Sequence, residues 1–98
     1  MRFDFKSREL LLLYTEERNA HRFPPGVVGN FFDVMAIITS ATNETDIRAL
    51  KSLHFEKLSG DRRGQHSLRL NKQYRLIIQI ETDESGKLVW IIEIVDYH

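Results

Sequence analysis

Between residues 7 and 41 apolar side chains recur at helical spacing, and from residue 53 onward they follow the rhythm of strands. This one change of period leads to an α+β fold, with a helical half preceding a β half. The 98 residues hold enough apolar material for one core and one surface site, so a single domain over 1–98 is expected. A separate cofactor domain has no room.

Residues 2–6 alternate as Arg-Phe-Asp-Phe-Lys, a short strand with Phe3 and Phe5 inward. Ser7 can cap a helix whose stripe is Leu10, Leu11, Leu13 and Tyr14, with an end expected near Asn19 or Ala20. Phe23-Pro24-Pro25-Gly26 punctuates the chain, and Val27, Val28, Phe31, Phe32, Met35 and Ile38 then predict a second helix stopping around Ala41. The short connection favours an antiparallel helical hairpin. Residues 43–53 are polar, with room for one helical turn. Strands are expected at 55–58, 65–70, 74–81 and 88–95, with a hairpin turn at Asp83-Glu84-Ser85-Gly86. Phe5, Leu11, Phe31, Met35, Leu68, Leu76, Ile78, Trp90 and Ile92 are the expected core.

Parity adds a sharper constraint. Leu68, Leu70, Tyr74, Leu76, Ile78 and Ile80 share one face only if the connection between their strands is odd in length. A three-residue loop, Asn71-Lys72-Gln73, satisfies this and places Arg69 opposite Arg75 on the other face. Two arginines side by side require an anion: a neighbouring carboxylate such as Glu93 or Glu81, or a phosphate held by bidentate hydrogen bonds.

The formal net charge is zero, but it is unevenly spread: −1 over residues 1–50, +5 over 51–75 and −4 over 76–98. Lys51, Lys57, Arg62, Arg63, Arg69, Lys72 and Arg75 form the basic block, which suits either a polyanion or an ordinary solvated face. With no cysteine, the chain excludes disulfides, a zinc knuckle and a thiol nucleophile, and it fits a reducing cytoplasm. No two histidines have metal-ligand spacing, so no metal and no cofactor are expected. His66 reads as a partly buried structural residue in register with Leu68. The start lacks a signal-peptide apolar run and no stretch reaches membrane-spanning length, which leads to the expectation of a soluble protein without a membrane partner.

Three segments occur in order: Leu58-Ser59-Gly60-Asp61-Arg62-Arg63-Gly64, then Ser67-Leu68-Arg69-Leu70-Asn71-Lys72-Gln73-Tyr74-Arg75-Leu76, then Asp96-Tyr97-His98. Together they resemble the HigB branch of the RelE/ParE toxin superfamily, with its L-K-G-D-R-x-G segment, its S-[IL]-R-[IV]-N-x-x-[YW]-R-[IL] hairpin and its D-Y-H ending. The resemblance covers essentially the whole chain. It implies an N-terminal helical hairpin packed on a small, mainly antiparallel β-sheet. It further implies a toxin of a toxin–antitoxin pair that enters the ribosomal A site and cuts messenger RNA. The implied partners are a helix-turn-helix antitoxin, HigA, the ribosome and its message, with operator DNA reached only through the antitoxin. Ser59 replaces the family's usual lysine, and Glu56 stands where some relatives carry a histidine.

Metal-free RNA cleavage needs a base for the 2′-hydroxyl proton, cations for the phosphorane and an acid for the leaving oxygen. His98 is the candidate base, with Asp96 to orient or charge it. Arg75, matching the family's strand arginine, is the candidate for the scissile phosphate, supported by Arg69. Tyr97 can stack on a base or donate a proton. Glu56 is a candidate second acid–base group, and Lys57, or alternatively His54, can supply the cation lost at Ser59. Arg62, Arg63 and Lys72 complete the candidate RNA-binding set. Two other readings share the architecture: a non-nucleolytic toxin in the manner of the ParE branch, and a degenerate toxin kept as an antitoxin-binding or regulatory module.

Overall fold

The computed structural model describes residues 1–97. Strand β1 (Arg2–Phe5) leads into α1 (Arg8–Glu16), α2 (Val27–Ser40) and α3 (Glu44–Arg48). Strands β2 (Glu56–Lys57), β3 (His66–Arg69), β4 (Tyr74–Asp83) and β5 (Gly86–Asp96) follow, with short 3-10 turns at Ala20–Arg22, Lys51–Leu53 and Gly60–Arg62. The sheet order is β1-β5-β4-β3-β2, antiparallel except where β1 runs parallel to β5. No helix among the described residues is long and apolar enough to cross a membrane.

Ser7 caps α1, its hydroxyl accepting from the Leu10 N–H at 3.2 Å. The helix stops at Glu16 rather than near Asn19 or Ala20. The apolar stripe runs out at Tyr14, and Glu17 and Asn19 take left-handed conformations that turn the chain away. At the start of α2 the N-cap is Gly26 with φ +88°, a value that favours a residue without Cβ. Val27, Phe31, Val34, Met35 and Ile38 form the buried face of α2, and the helix ends at Ser40 as its spacing predicts. The polar 43–53 segment holds α3, capped by Asn43, whose side chain accepts from the Thr45 N–H at 2.9 Å.

Tyr14 ties the helices to the sheet. Its ring lies 5.5 Å from Phe3, 5.6 Å from Phe5, 6.3 Å from Phe31 and 5.8 Å from Phe32, so one side chain of α1 touches both β1 and α2. Leu10, Leu13, Phe31, Met35 and Ile38 meet Leu68, Leu76, Ile78, Val89 and Ile91 of the sheet in one cluster. The Met1 ammonium donates to the carbonyls of Ile38 (2.9 Å), Thr39 (3.2 Å) and Ala41, a cation at the C-terminus of α2.

Three core expectations are corrected. Leu11 is 37% exposed, because in a run of four leucines the inward face of α1 is Leu10, Leu13 and Tyr14. Trp90 lies opposite Asp4 and Gln79 on the far face of the sheet, where the Lys6 ammonium sits 4.5 Å from its ring centroid. Ile92 is not in the buried cluster either. The cause is a β-bulge: Ile77 pairs with Glu93 but Ile78 pairs with Ile91, so β5 spends one extra residue. Val89, Ile91 and Ile94 therefore reach the core.

His66 stacks on Phe55, with centroids 4.6 Å apart and planes 5° apart, and Phe55 also meets the Arg48 guanidinium at 5.1 Å. Burial lowers the pKa of His66 below its ordinary 6.5, and Arg48 and Lys57 push it the same way. The folded state therefore binds this proton less readily than the unfolded chain. Its contribution is complete above about pH 6.5 and is lost as the pH falls below that value. Urea unfolding followed from pH 7.5 to 5 should show stability falling at the acid end, and His66→Gln should flatten that fall. Phe31→Ala should cost about 3–5 kcal/mol in the same assay, as expected for a fully buried aromatic ring.

Candidate active site

The site is built by the loop between β3 and β4. Asn71 folds it: the side-chain oxygen accepts from the N–H groups of Gln73 (2.8 Å) and Tyr74 (2.7 Å), while the Leu70 N–H donates to the Tyr74 carbonyl at 2.9 Å. Three residues thus separate Leu70 from Tyr74, as parity requires, and Arg69 pairs directly with Arg75. Leu68, Leu70, Leu76 and Ile78 are buried in the core, and the two arginines occupy the opposite face.

Both guanidiniums converge on one backbone oxygen. Arg69 Nε and Arg75 Nη1 each donate to the Asn71 carbonyl at 3.3 Å. Among the described residues neither arginine has a carboxylate within ion-pair distance. Glu93, which could have neutralised Arg75, is taken by Arg62, whose Nη2 donates to it at 3.0 Å while Nη1 donates to Gln65 at 3.0 Å. The like charges of Arg69 and Arg75 oppose each other directly across the strands, which is destabilising until an anion joins them.

Two further groups flank the pair. The Arg75 guanidinium lies 5.0 Å from the centroid of Tyr97, a ring left 45% exposed and pinned by its N–H donating to the Gln73 carbonyl at 2.6 Å. His54 Nε2 lies 3.2 Å from Arg69 Nη1. A guanidinium only donates, so Nε2 is the accepting atom of this contact.

The remaining candidates are distributed unevenly. Glu56 pairs with Ser67 and so shares the arginine face, whereas Lys57 pairs with His66 and belongs to the opposite face. Asp96 pairs with Tyr74 and its carboxylate accepts from Gln73 Nε2 at 3.0 Å. Lys72, at the loop tip, and Arg63, beside the Gly60–Arg62 turn, are exposed, while Arg62 is engaged as described. His98 lies outside the described residues. No group of three His, Asp or Glu side chains among the described residues is arranged to hold a metal ion. His54 is the residue that sequence spacing placed least firmly, because its approach to Arg69 depends on the left-handed backbone that ends the Lys51–Leu53 turn.

The fold is that of the YoeB/ParE toxins. Over the full length of both chains the structure superposes on a YoeB/ParE toxin from Agrobacterium tumefaciens with a TM-score of 0.60 at 15% identity. A chain of the YoeB-YefM complex from Staphylococcus aureus gives 0.54 at 19% identity, covering 100% of this chain and 97% of that one. Residues 3–98 match the family of RelE-like toxins of the type II toxin–antitoxin system HigB, and the chain belongs to that family. It is 34% identical over 79 residues to Toxin HigB-1 of Vibrio cholerae serotype O1, which spans 81% of this chain and 83% of that protein. The resemblance carried by the three sequence segments is thereby confirmed.

An arginine pair with no carboxylate in ion-pair distance among the described residues should behave as an anion site in the isolated protein. Sulfate should raise the melting temperature of the wild type, by about 1.4 kcal/mol of stability when present at tenfold its Kd. Arg69→Ala and Arg75→Ala should lose most of that response while leaving anion-free stability within about 0.5 kcal/mol. Equal salt responses in all three proteins would place the anion elsewhere.

Proposed function

We propose that this toxin is a ribosome-dependent messenger RNA endonuclease, one domain over residues 1–98, that cuts message in the A site by attack of a 2′-hydroxyl on the adjacent phosphate. The observation that carries this reading is the pair Arg69 and Arg75, paired across the hairpin and met, among the described residues, by a backbone carbonyl, His54 and the Tyr97 ring, with no carboxylate in ion-pair distance. A phosphate is dianionic in the phosphorane and offers oxygens to both forks, so the pair binds the transition state more strongly than the ground state.

The chemistry balances without a cofactor. A base takes the 2′-hydroxyl proton, the O2′–P bond forms, the P–O5′ bond breaks, and an acid protonates the leaving oxygen, giving a 2′,3′-cyclic phosphate and a 5′-hydroxyl. His98 is proposed as the base, oriented by Asp96, and His54, in contact with Arg69, is proposed as a further imidazole of the site. Glu56, on the arginine face, is proposed as the second acid–base group. Tyr97, exposed beside Arg75, is placed to stack on a base or to donate a proton. Arg63 and Lys72 extend the basic surface toward the RNA backbone, whereas the register of Lys57 turns it from the pair and gives it no part in this scheme.

A HigA-like helix-turn-helix antitoxin is the proposed neutralising partner, with operator DNA contacted only through it, and the cytoplasm, where message is translated, is the proposed location. Family membership and the likeness to a chain of a toxin–antitoxin complex support a partner of this kind.

Induced expression with growth and primer extension on one abundant message tests the proposal. The wild type should arrest growth with cuts inside codons. Arg75→Ala should lose roughly 100-fold or more of the cutting, the scale for removing a preorganised donor from a developing oxyanion, and His98→Ala should likewise abolish it. Arrest without cuts would instead establish the non-nucleolytic reading, and cuts unchanged in Arg75→Ala would remove the arginine pair from the mechanism.

A further inference from the structure

A cleft of about 300 Å³ opens beside Arg69, walled by Val34, Ile37, Leu53 and Leu70, with Asn30 and Ser52 as its neutral polar lining and Asp33 and Arg69 as its two charged residues. Asp33 is unusual in its own helix. It is the one charged residue of α2, it sits in the helix interior where aspartate is a poor helix former, and no other described residue gives it a hydrogen bond or ion pair. Residues 33, 34 and 37 fall on one stripe of the helix, which is why an acid and two aliphatic side chains share the cleft.

We propose that this cleft is a base-reading subsite, specific for guanine, for a nucleotide whose phosphate rests on Arg69 and Arg75. This inference rests on the nuclease reading and names the specificity of that site. The lining decides the occupant. A basic peptide side chain would gain Asp33 but meet Arg69, and an acidic one would meet the reverse conflict. A neutral ring with acceptors on one edge and two parallel donors on the next satisfies both. Guanine offers O6 and N7 to a guanidinium, and its N1–H and N2–H₂ donate together to one carboxylate. Adenine, cytosine and uracil cannot present that donor pair. The apolar walls cover the faces of the ring, and the cleft has the space for one base. Arg69 belongs both to the cleft lining and to the phosphate pair, so a single nucleotide reaches the two.

The test uses 5′-GMP, 5′-AMP, 5′-CMP and 5′-UMP as probes on the isotopically labelled protein. GMP should shift the amide signals of Val34, Leu53 and Leu70 and bind roughly tenfold or more tightly than the other three, the discrimination expected of one bidentate base contact. Asp33→Asn should erase that preference, while Arg75→Ala should weaken all four nucleotides alike. In the cleavage map, wild-type cuts should show guanine enriched at one fixed position, and Asp33→Asn should flatten it. Equal response to all four nucleotides, or a GMP preference that survives Asp33→Asn, overturns the proposal. So does an Asp33→Asn variant with normal nucleotide binding that escapes antitoxin, an outcome that would give the cleft to a peptide. If the wild type cuts no message, the nuclease reading fails by itself, and the GMP titration still decides whether the cleft reads guanine.

Discussion

Asn71 closes a three-residue loop with its own side chain, and the parity of that loop sets the direction of every side chain in β3 and β4. With three residues, Leu68, Leu76 and Ile78 lie on the core face and Arg69 and Arg75 on the outer one. A loop one residue longer or shorter would turn one strand over and bring an arginine toward the core, at a cost no small domain can absorb. The apolar side of the hairpin is thus the reason the cationic side exists. Packing of α1 and α2 on the core face holds the two guanidiniums in register.

Charge is then divided into a finished part and an unfinished part. Arg62 is satisfied by Glu93 and Gln65, so it braces the outer face. Arg69 and Arg75 share a carbonyl at 3.3 Å, long contacts that are easily exchanged for the shorter, charge-assisted bonds of a phosphate. Tyr97 and His54 stand on either side, one bringing an exposed ring and the other an imidazole already bonded to the pair. A surface with this division gains most when an anion arrives and joins the two opposed guanidiniums.

Much of this was legible in the sequence, because period and parity act locally. Phe3 and Phe5, the cap at Ser7, the face of α2, the two hairpins and the pairing of Arg69 with Arg75 all follow from spacing within a few residues. What spacing could not supply came from elsewhere in the chain. The parallel docking of β1 on β5 joins residues more than 80 apart, and the bulge opposite Ile77 and Ile78 moved Trp90 and Ile92 out of the expected core. In α1, four consecutive leucines satisfy two adjacent helical faces, and only the tertiary contact of Tyr14 with β1 and α2 chooses between them.

The site divides in the same way. Its arginines were readable because a hairpin fixes them, whereas His54 reaches Arg69 through a left-handed turn, and the preference of Arg62 for Glu93 depends on how a loop folds back over the sheet. Nitrogen-detected NMR of the arginine side chains, with a short RNA made uncleavable by 2′-O-methylation, tests the central claim most directly. The account predicts that the Nε signals of Arg69 and Arg75 move together as RNA is added and that Arg62 stays still. Movement of Arg62 with a silent Arg69 and Arg75 would contradict it and place the phosphate on a different part of the basic surface.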